Sequence, residues 1–185
     1  LSDAVWGKIN AWVNAGGRLI AIGDAVAALE DRDGFSLTQY ASKKERSDAE
    51  SVQETQRLEA RFADYADQER RQISGFIPGA IFKVHLDVTH PLAYGMSEDY
   101  FSLKAGSMAY QPLKQAWNVG TISEQLMVSG FAGSEAKAAQ KNTVVFAVEG
   151  KGSGSVIYLV DNPLFRAFWE NGKFLFSNAL FFAGF

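Results

Sequence analysis

The chain has 185 residues, 47% of them apolar, with 18 Lys and Arg against 21 Asp and Glu for a net charge of −3. The length suits one domain, and charges of both signs interspersed along the chain exclude the basic footprint of a nucleic-acid or anionic-membrane binder. There is no Cys, which excludes disulfides, thiolate catalysis and Cys-ligated metals, and no apolar run approaches the roughly 20 residues that span a bilayer.

The chain opens Leu1-Ser2-Asp3, without Met or a signal peptide, and reads as a piece of a longer protein. Ser2 is a candidate N-cap for a helix with Val5, Ile9, Trp12 and Val13 on one stripe. Gly16 and Gly17 stop it. Leu19 to Ile22 reads as a short buried strand of a parallel sheet, and a helix is expected from Ala25 to Glu30. This α–β–α order implies a further strand before Ser2. Residues 31–75 are charge-rich and carry few bulky apolar groups. They predict a helical insertion, either a solvated surface excursion or an arm for a partner or a second copy.

Pro78-Gly79 punctuates the chain. Ala80 to Val88 then alternates, with Phe82, Val84, Leu86 and Val88 on one face and Lys83, His85 and Asp87 on the other. Short strand-like pieces follow at Tyr100 to Leu103, Met108 to Tyr110 and Leu126 to Ser129, and one or two helical turns at Gly133 to Gln140. Thr143 to Val148 and Ser155 to Val160 predict two strands joined through the Gly-rich 149–154 segment. Asp161-Asn162-Pro163 ends the second. A helix over Lys173 to Phe182 is apolar nearly all round, except for Asn178, and must be covered by protein.

Candidate sites are sparse. His85, Asp87 and His90 fall short of the three or four convergent ligands that zinc needs, and His90 reads as a turn cap beside Pro91. Ser97, Ser102, Ser107 and Ser129 lack the G-x-S-x-G setting. Gly150, Gly152 and Gly154 lie between strands rather than before a helix, so the phosphate-cradle mechanism is missing. At the strand-to-helix turn, where α/β enzymes place a nucleophile, stand Gly23 and Asp24. Asp24 and Asp161 both follow predicted strands at the carboxyl edge, where α/β folds bind ligands. With Asn162 and Arg166 they are candidates to line one ligand crevice. The alternative is that Asp24, Asp161 and Asn162 serve as helix caps. The aromatic C-terminus reads as core, with a docking face for the rest of a parent protein as the second reading.

Several segments together carry a family resemblance: Trp12 to Gly23, Pro78 to Val84, Thr89 to Gly95, Gly152 to Trp169 and Leu175 to Phe182. They resemble the C-terminal accessory domain of bacterial zinc carboxypeptidase-like proteins, which is similar to class I glutamine amidotransferases. The resemblance implies a single α/β domain over 1–185. It would be a flavodoxin-like three-layer sandwich with a mostly parallel sheet and the 31–75 insertion. It implies a parent that is a secreted or periplasmic metallocarboxypeptidase, with zinc only in the parent's catalytic domain. The amidotransferase Cys is replaced by Gly23-Asp24, and its late His-x-Glu pair by Asp161-Asn162-Pro163. The expectation is therefore a non-catalytic accessory domain with no cofactor of its own. Its expected partners are the parent's other domains, or a second copy through the insertion. The alternative is a small-ligand, carbohydrate or peptide binding module using the carboxyl-edge crevice.

Overall fold

The computed structural model describes residues 1–40, 70, 72–123 and 127–183. Helix α1 (Asp3–Asn14) follows Ser2, whose backbone is extended but whose side chain makes no cap bond. Val13 is its fully buried residue. Gly16 ends the helix at φ +112°, a conformation that glycine adopts without a Cβ penalty. Strand β1 (Arg18–Ile22) follows, and Gly23 turns the chain into the short helix α2 (Asp24–Ala27).

The remaining strands are β2 (Gly79–Leu86), β3 (Asp99–Lys104), β4 (Trp117–Ile122), β5 (Met127–Phe131), β6 (Thr143–Lys151) and β7 (Gly154–Leu159). With β1 they form one sheet of order β1-β7-β6-β4-β2-β3, and β5 also pairs with β2. Two further helices are α3 (Ser134–Ala139) and α4 (Glu170–Phe181).

The fold is mixed α/β, and the expectation of a mostly parallel sheet is corrected. β1 and β7 run parallel, whereas the β2–β3, β2–β4, β2–β5, β4–β6 and β6–β7 pairings are antiparallel. The reason is local. Gly152 and Ser153 alone separate β6 from β7, and a two-residue link can join only antiparallel neighbours. The continuous apolar runs in β6 and β7 reflect burial on both faces rather than a parallel partner.

Two cores lie on opposite faces of the β1-β7-β6 region. One gathers Val13, Val26, Leu29, Phe35, Leu37 and Tyr158 beneath α1, α2 and the segment after them. The other gathers Phe82, Leu86, Tyr100, Phe146, Leu159 and Leu175. In the second core the β2–β3 hairpin and α4 act as the covering layer.

The start of the charged insertion is not helical. Residues 31–40 form turns and an extended piece in which Gln39 bridges to Tyr110. Ser36 anchors this piece by donating from Oγ to Glu149 Oε1 at 2.5 Å, while Tyr158 donates to Glu149 Oε2 at 2.6 Å. Burial and this bond to the Glu149 carboxylate push the Tyr158 phenol far up. Residues 72–74 are helical. The rest of the expected helical insertion, 41–69 and 71, lies outside the described residues.

The expectation of an all-round covered terminal helix is also corrected. Helix α4 buries Gly172, Leu175, Asn178 and Ala179. Phe174 and Phe181 are 65% and 67% exposed. The helix therefore has one buried stripe, and aromatic residues on its other side face outward.

Candidate functional site

A crevice of about 300 Å³ opens at the carboxyl ends of β1 and β7. Ile22, Gly23 and Asp24 form one wall, Asp161, Asn162 and Phe165 another, and residues within 103–108 the third. The site owes its place to the parallel pairing of β1 with β7. Parallel neighbours end at the same edge of the sheet, so the segments that leave them, 23–24 and 160–162, diverge around a common gap.

The turn at its floor is a sharp strand-to-helix elbow. Gly23 sits at φ 54° and ψ −126°, where only glycine is at ease. Its N–H donates to Leu159 O at 2.8 Å, which ties the elbow to the end of β7. Asp24 is the first residue of α2, and Gly23 holds the N-cap position, so the capping role expected of Asp24 is not realised.

Asp161 is not a helix cap either. It is 8% exposed, and its Oδ1 receives Lys104 Nζ at 2.8 Å. Its Oδ2 accepts from Ser102 Oγ at 2.6 Å. Lys104 and Ser102 are themselves 2% and 1% exposed. Both lie on the inward face of β3, one alternation apart, as does Tyr100. Burial, reinforced by the Asp161 charge, pushes the Tyr100 phenol far up. Burying two charges is costly, and their attraction repays it only when hydrogen bonds satisfy the remaining lone pairs. Ser102 supplies such a bond here.

The pair also reports the shape of the sheet. β3 lies four places from β7 in the hydrogen-bonded order. At about 4.8 Å per step, a flat sheet would hold them roughly 19 Å apart. Their contact requires the sheet to coil over its second core. The edge-to-face contact of Tyr100 on β3 with Phe146 on β6, centroids 5.3 Å apart, has the same origin.

Asn162 Oδ1 accepts from Leu164 N at 2.9 Å and so orders the exit from β7. Arg166, expected at the crevice, is not among its lining residues. The reason is the backbone: Arg166 and Ala167 are left-handed, at φ 49° and 59°. The turn carries the guanidinium over the Phe165 ring, 5.2 Å from its centroid. The structure therefore brings Asp24, Asp161 and Asn162 together and leaves Arg166 aside.

The histidines stand elsewhere. His85 is exposed on β2. His90 Nδ1 accepts from Leu92 N at 3.0 Å and caps the short turn at Pro91–Ala93. Among the described residues, no three His, Asp or Glu side chains are grouped to hold a metal ion. No helix among them is long and apolar enough to cross a membrane.

Sequence reasoning missed Ser102 and Lys104 as partners of Asp161. It also missed a second hollow of about 500 Å³ between α1 and the segment after α2, lined by Asp3, Trp6, Asn10, Glu30, Arg32 and Asp33 among others. There Arg32 lies 4.7 Å over the Trp6 ring. The signal for the first was a Ser-x-Lys alternation within a strand, which alone does not name its counter-ion.

No family model matches the chain, and no curated protein is similar to it in sequence. Three solved structures are similar in shape. A cytoplasmic protein from Salmonella typhimurium is 14% identical, with a TM-score of 0.48, covering 100% of this chain and 62% of that one. A protein from Bacteroides uniformis described as ThuA-like is 14% identical, with a TM-score of 0.46, covering 97% of this chain and 63% of that one. The cold-adapted β-galactosidase from Rahnella sp. R3 is 13% identical, with a TM-score of 0.45, covering 96% of this chain and 20% of that one. The chain thus spans less than two thirds of the length of each. No residue role passes from them to this chain.

Proposed function

We propose that this chain is a non-catalytic α/β domain of glutamine amidotransferase-like architecture that acts by binding, with a small polar ligand held in the crevice between Asp24 and Asn162. The observation that carries this reading is the elbow. The position where such a fold places its nucleophile is Gly23, and the crevice opens directly above it. Asp161 is already matched by Lys104, so Asp24 sets the net charge of the walls. A ligand rich in hydrogen-bond donors or carrying a cation suits them, and a nucleotide phosphate does not.

The test has two arms. The chain is assayed for glutaminase, esterase and peptidase turnover, and its thermal unfolding is followed against amines, peptides, sugars and nucleotides. A true ligand at 100 times its Kd adds about 2.7 kcal/mol of stability. That gain should vanish in Asp24→Ala without loss of fold. Turnover abolished by one substitution, or no shift across the panel, rejects the proposal.

The resemblance carried by Trp12 to Gly23, Pro78 to Val84, Thr89 to Gly95, Gly152 to Trp169 and Leu175 to Phe182 supports placing the domain beside a zinc carboxypeptidase-like catalytic domain in a secreted or periplasmic protein. In that setting it would serve packing, presentation of substrate or oligomerisation, and the zinc would be held by the other domain. Reading the gene on both sides of this sequence tests the placement. A His-x-x-Glu-bearing peptidase domain and a signal peptide are expected.

A further inference from the structure

The crevice at the carboxyl ends of β1 and β7 offers three different kinds of group, and their placement restricts what can fill it. Asp24 is an exposed carboxylate in its lining, and no cation among the described residues pairs with it. An ionised carboxylate only accepts hydrogen bonds, so this wall calls for a cation or a strong donor. Asp161 has its charge balanced by Lys104 and adds no second demand of that kind.

Asn162 adds the opposite polarity. Its Oδ1 is held by Leu164 N, which leaves Nδ2 for a guest, and an amide nitrogen only donates. The two polar groups leave neighbouring points of the backbone. A Cβ at Gly23, the residue before Asp24, would stand 3.9 Å from Asn162 Cβ. The rest of the lining is largely apolar, with Ile22, Leu103, Met108, Val160 and the half-buried Phe165. A volume of about 300 Å³ lies at the lower end of small-molecule sites and suits a compact guest.

A cation, a nearby acceptor and an apolar body are thus wanted within one small molecule or group. An α-ammonium next to an amide carbonyl, with an apolar side chain on the carbon between them, supplies all three. A free amino acid does not, because its carboxylate would bring a like charge beside Asp24. We infer, resting on the reading of this crevice as the binding site, that its guest is an uncapped α-aminoacyl amide with an apolar side chain. The ammonium meets Asp24, the carbonyl oxygen accepts from Asn162 Nδ2, and the side chain lies against Phe165 and Met108. A free amino-acid amide and the first residue of a peptide share this chemistry.

Calorimetric titration of the whole chain tests this with four probes: phenylalanine amide, N-acetyl-phenylalanine amide, free phenylalanine, and the C-terminally amidated peptide Phe-Gly-Gly. Phenylalanine amide should bind. The acetylated compound lacks the cation and free phenylalanine adds a carboxylate, so each should bind about tenfold or more weaker. The comparison of probes needs no variant. Asp24→Asn, on an exposed side chain, should bring phenylalanine amide down to the level of the acetylated compound with unchanged circular dichroism. Binding of the peptide at least as tight as that of phenylalanine amide identifies a peptide end as the source, and binding of phenylalanine amide alone identifies a free amide. Equal affinity for the acetylated compound or for free phenylalanine overturns the inference, as does full affinity in folded Asp24→Asn. A sugar or other uncharged compound held in the crevice while no amine is held overturns this inference and leaves the binding reading standing. No binding by any compound overturns both.

Discussion

Asn178 of α4 donates from its single Nδ2 to two carbonyls, Leu92 O at 3.0 Å and Tyr94 O at 2.8 Å. The side chain is 5% exposed and Leu92 is fully buried. One amide therefore docks the terminal helix onto the turn that His90 caps. Asn178→Leu keeps the branched shape and removes both bonds, leaving the buried Leu92 carbonyl without this donor. The expected cost is roughly 1–3 kcal/mol, read as a fall in the urea midpoint with the slope unchanged.

The turn under that helix predicts a pH response. Burial holds the His90 imidazole below its ordinary value of 6.5, with the Asp87 charge opposing the shift. The folded state thus favours the neutral ring, whose Nδ1 accepts from Leu92 N. The unfolded chain binds the proton more readily, so stability is full above about pH 6.5 and falls as the pH drops below it. His90→Asn retains an acceptor and cannot titrate. Its urea midpoint should lose the slope between pH 7 and pH 5. Asp87, whose carboxyl is held below 3.8 by its bonds from Thr89, loses its contribution in a separate window below that value and should still do so in the variant.

Lys104→Met should be among the most damaging surface-neutral changes in the chain. It leaves the Asp161 carboxylate buried without its cation, a situation worth about 3–5 kcal/mol of destabilisation. The double variant Lys104→Met with Asp161→Asn should recover most of that loss, because an amide oxygen still accepts from Ser102 and no charge is stranded. Equilibrium denaturation of the two single variants and the double variant gives the coupling directly. Equal losses that simply add would contradict the pairing.

Gly172→Ala tests the seat of α4 in another way. A Cβ at Gly172 would overlap the Pro163 carbonyl oxygen and crowd its carbon at 2.6 Å. Backbone cannot step aside as a flexible side chain does, so the helix must shift. Overpacking of this kind costs about 1–3 kcal/mol or more. The variant should show a lower melting temperature and less protection of the α4 amides.

Much of the framework is legible from residue order. The stripe of α1, the apolar runs of β1, β6 and β7, and the alternation of β2 all announce themselves. β4 does not, because Asn118, Gly120 and Thr121 interrupt any apolar pattern. Asn118 is there to bracket Leu113, accepting from its N–H at 2.8 Å and donating to its carbonyl at 2.9 Å. Gly120 is there because a Cβ would run into the Phe146 ring. Both are tertiary requirements invisible along the chain. At the crevice, Asp24, Asp161 and Asn162 are readable from their place after buried strands. Arg166 misleads because nothing in the sequence declares a left-handed turn at a non-glycine residue. Lys104 is silent for a related reason: lysine is almost never fully buried, so a strand ending in Lys reads as a strand reaching water.

Asp161 belongs to two neighbourhoods at once. Its carboxylate walls the hollow above Gly23 and also pins the outermost strand of the coiled sheet through Lys104. A guest that draws on that carboxylate competes with the lysine and Ser102 for the same two oxygens. Filling the hollow and loosening the far border are then a single event seen from two ends, and slower or faster amide exchange in β3 becomes a remote gauge of occupancy.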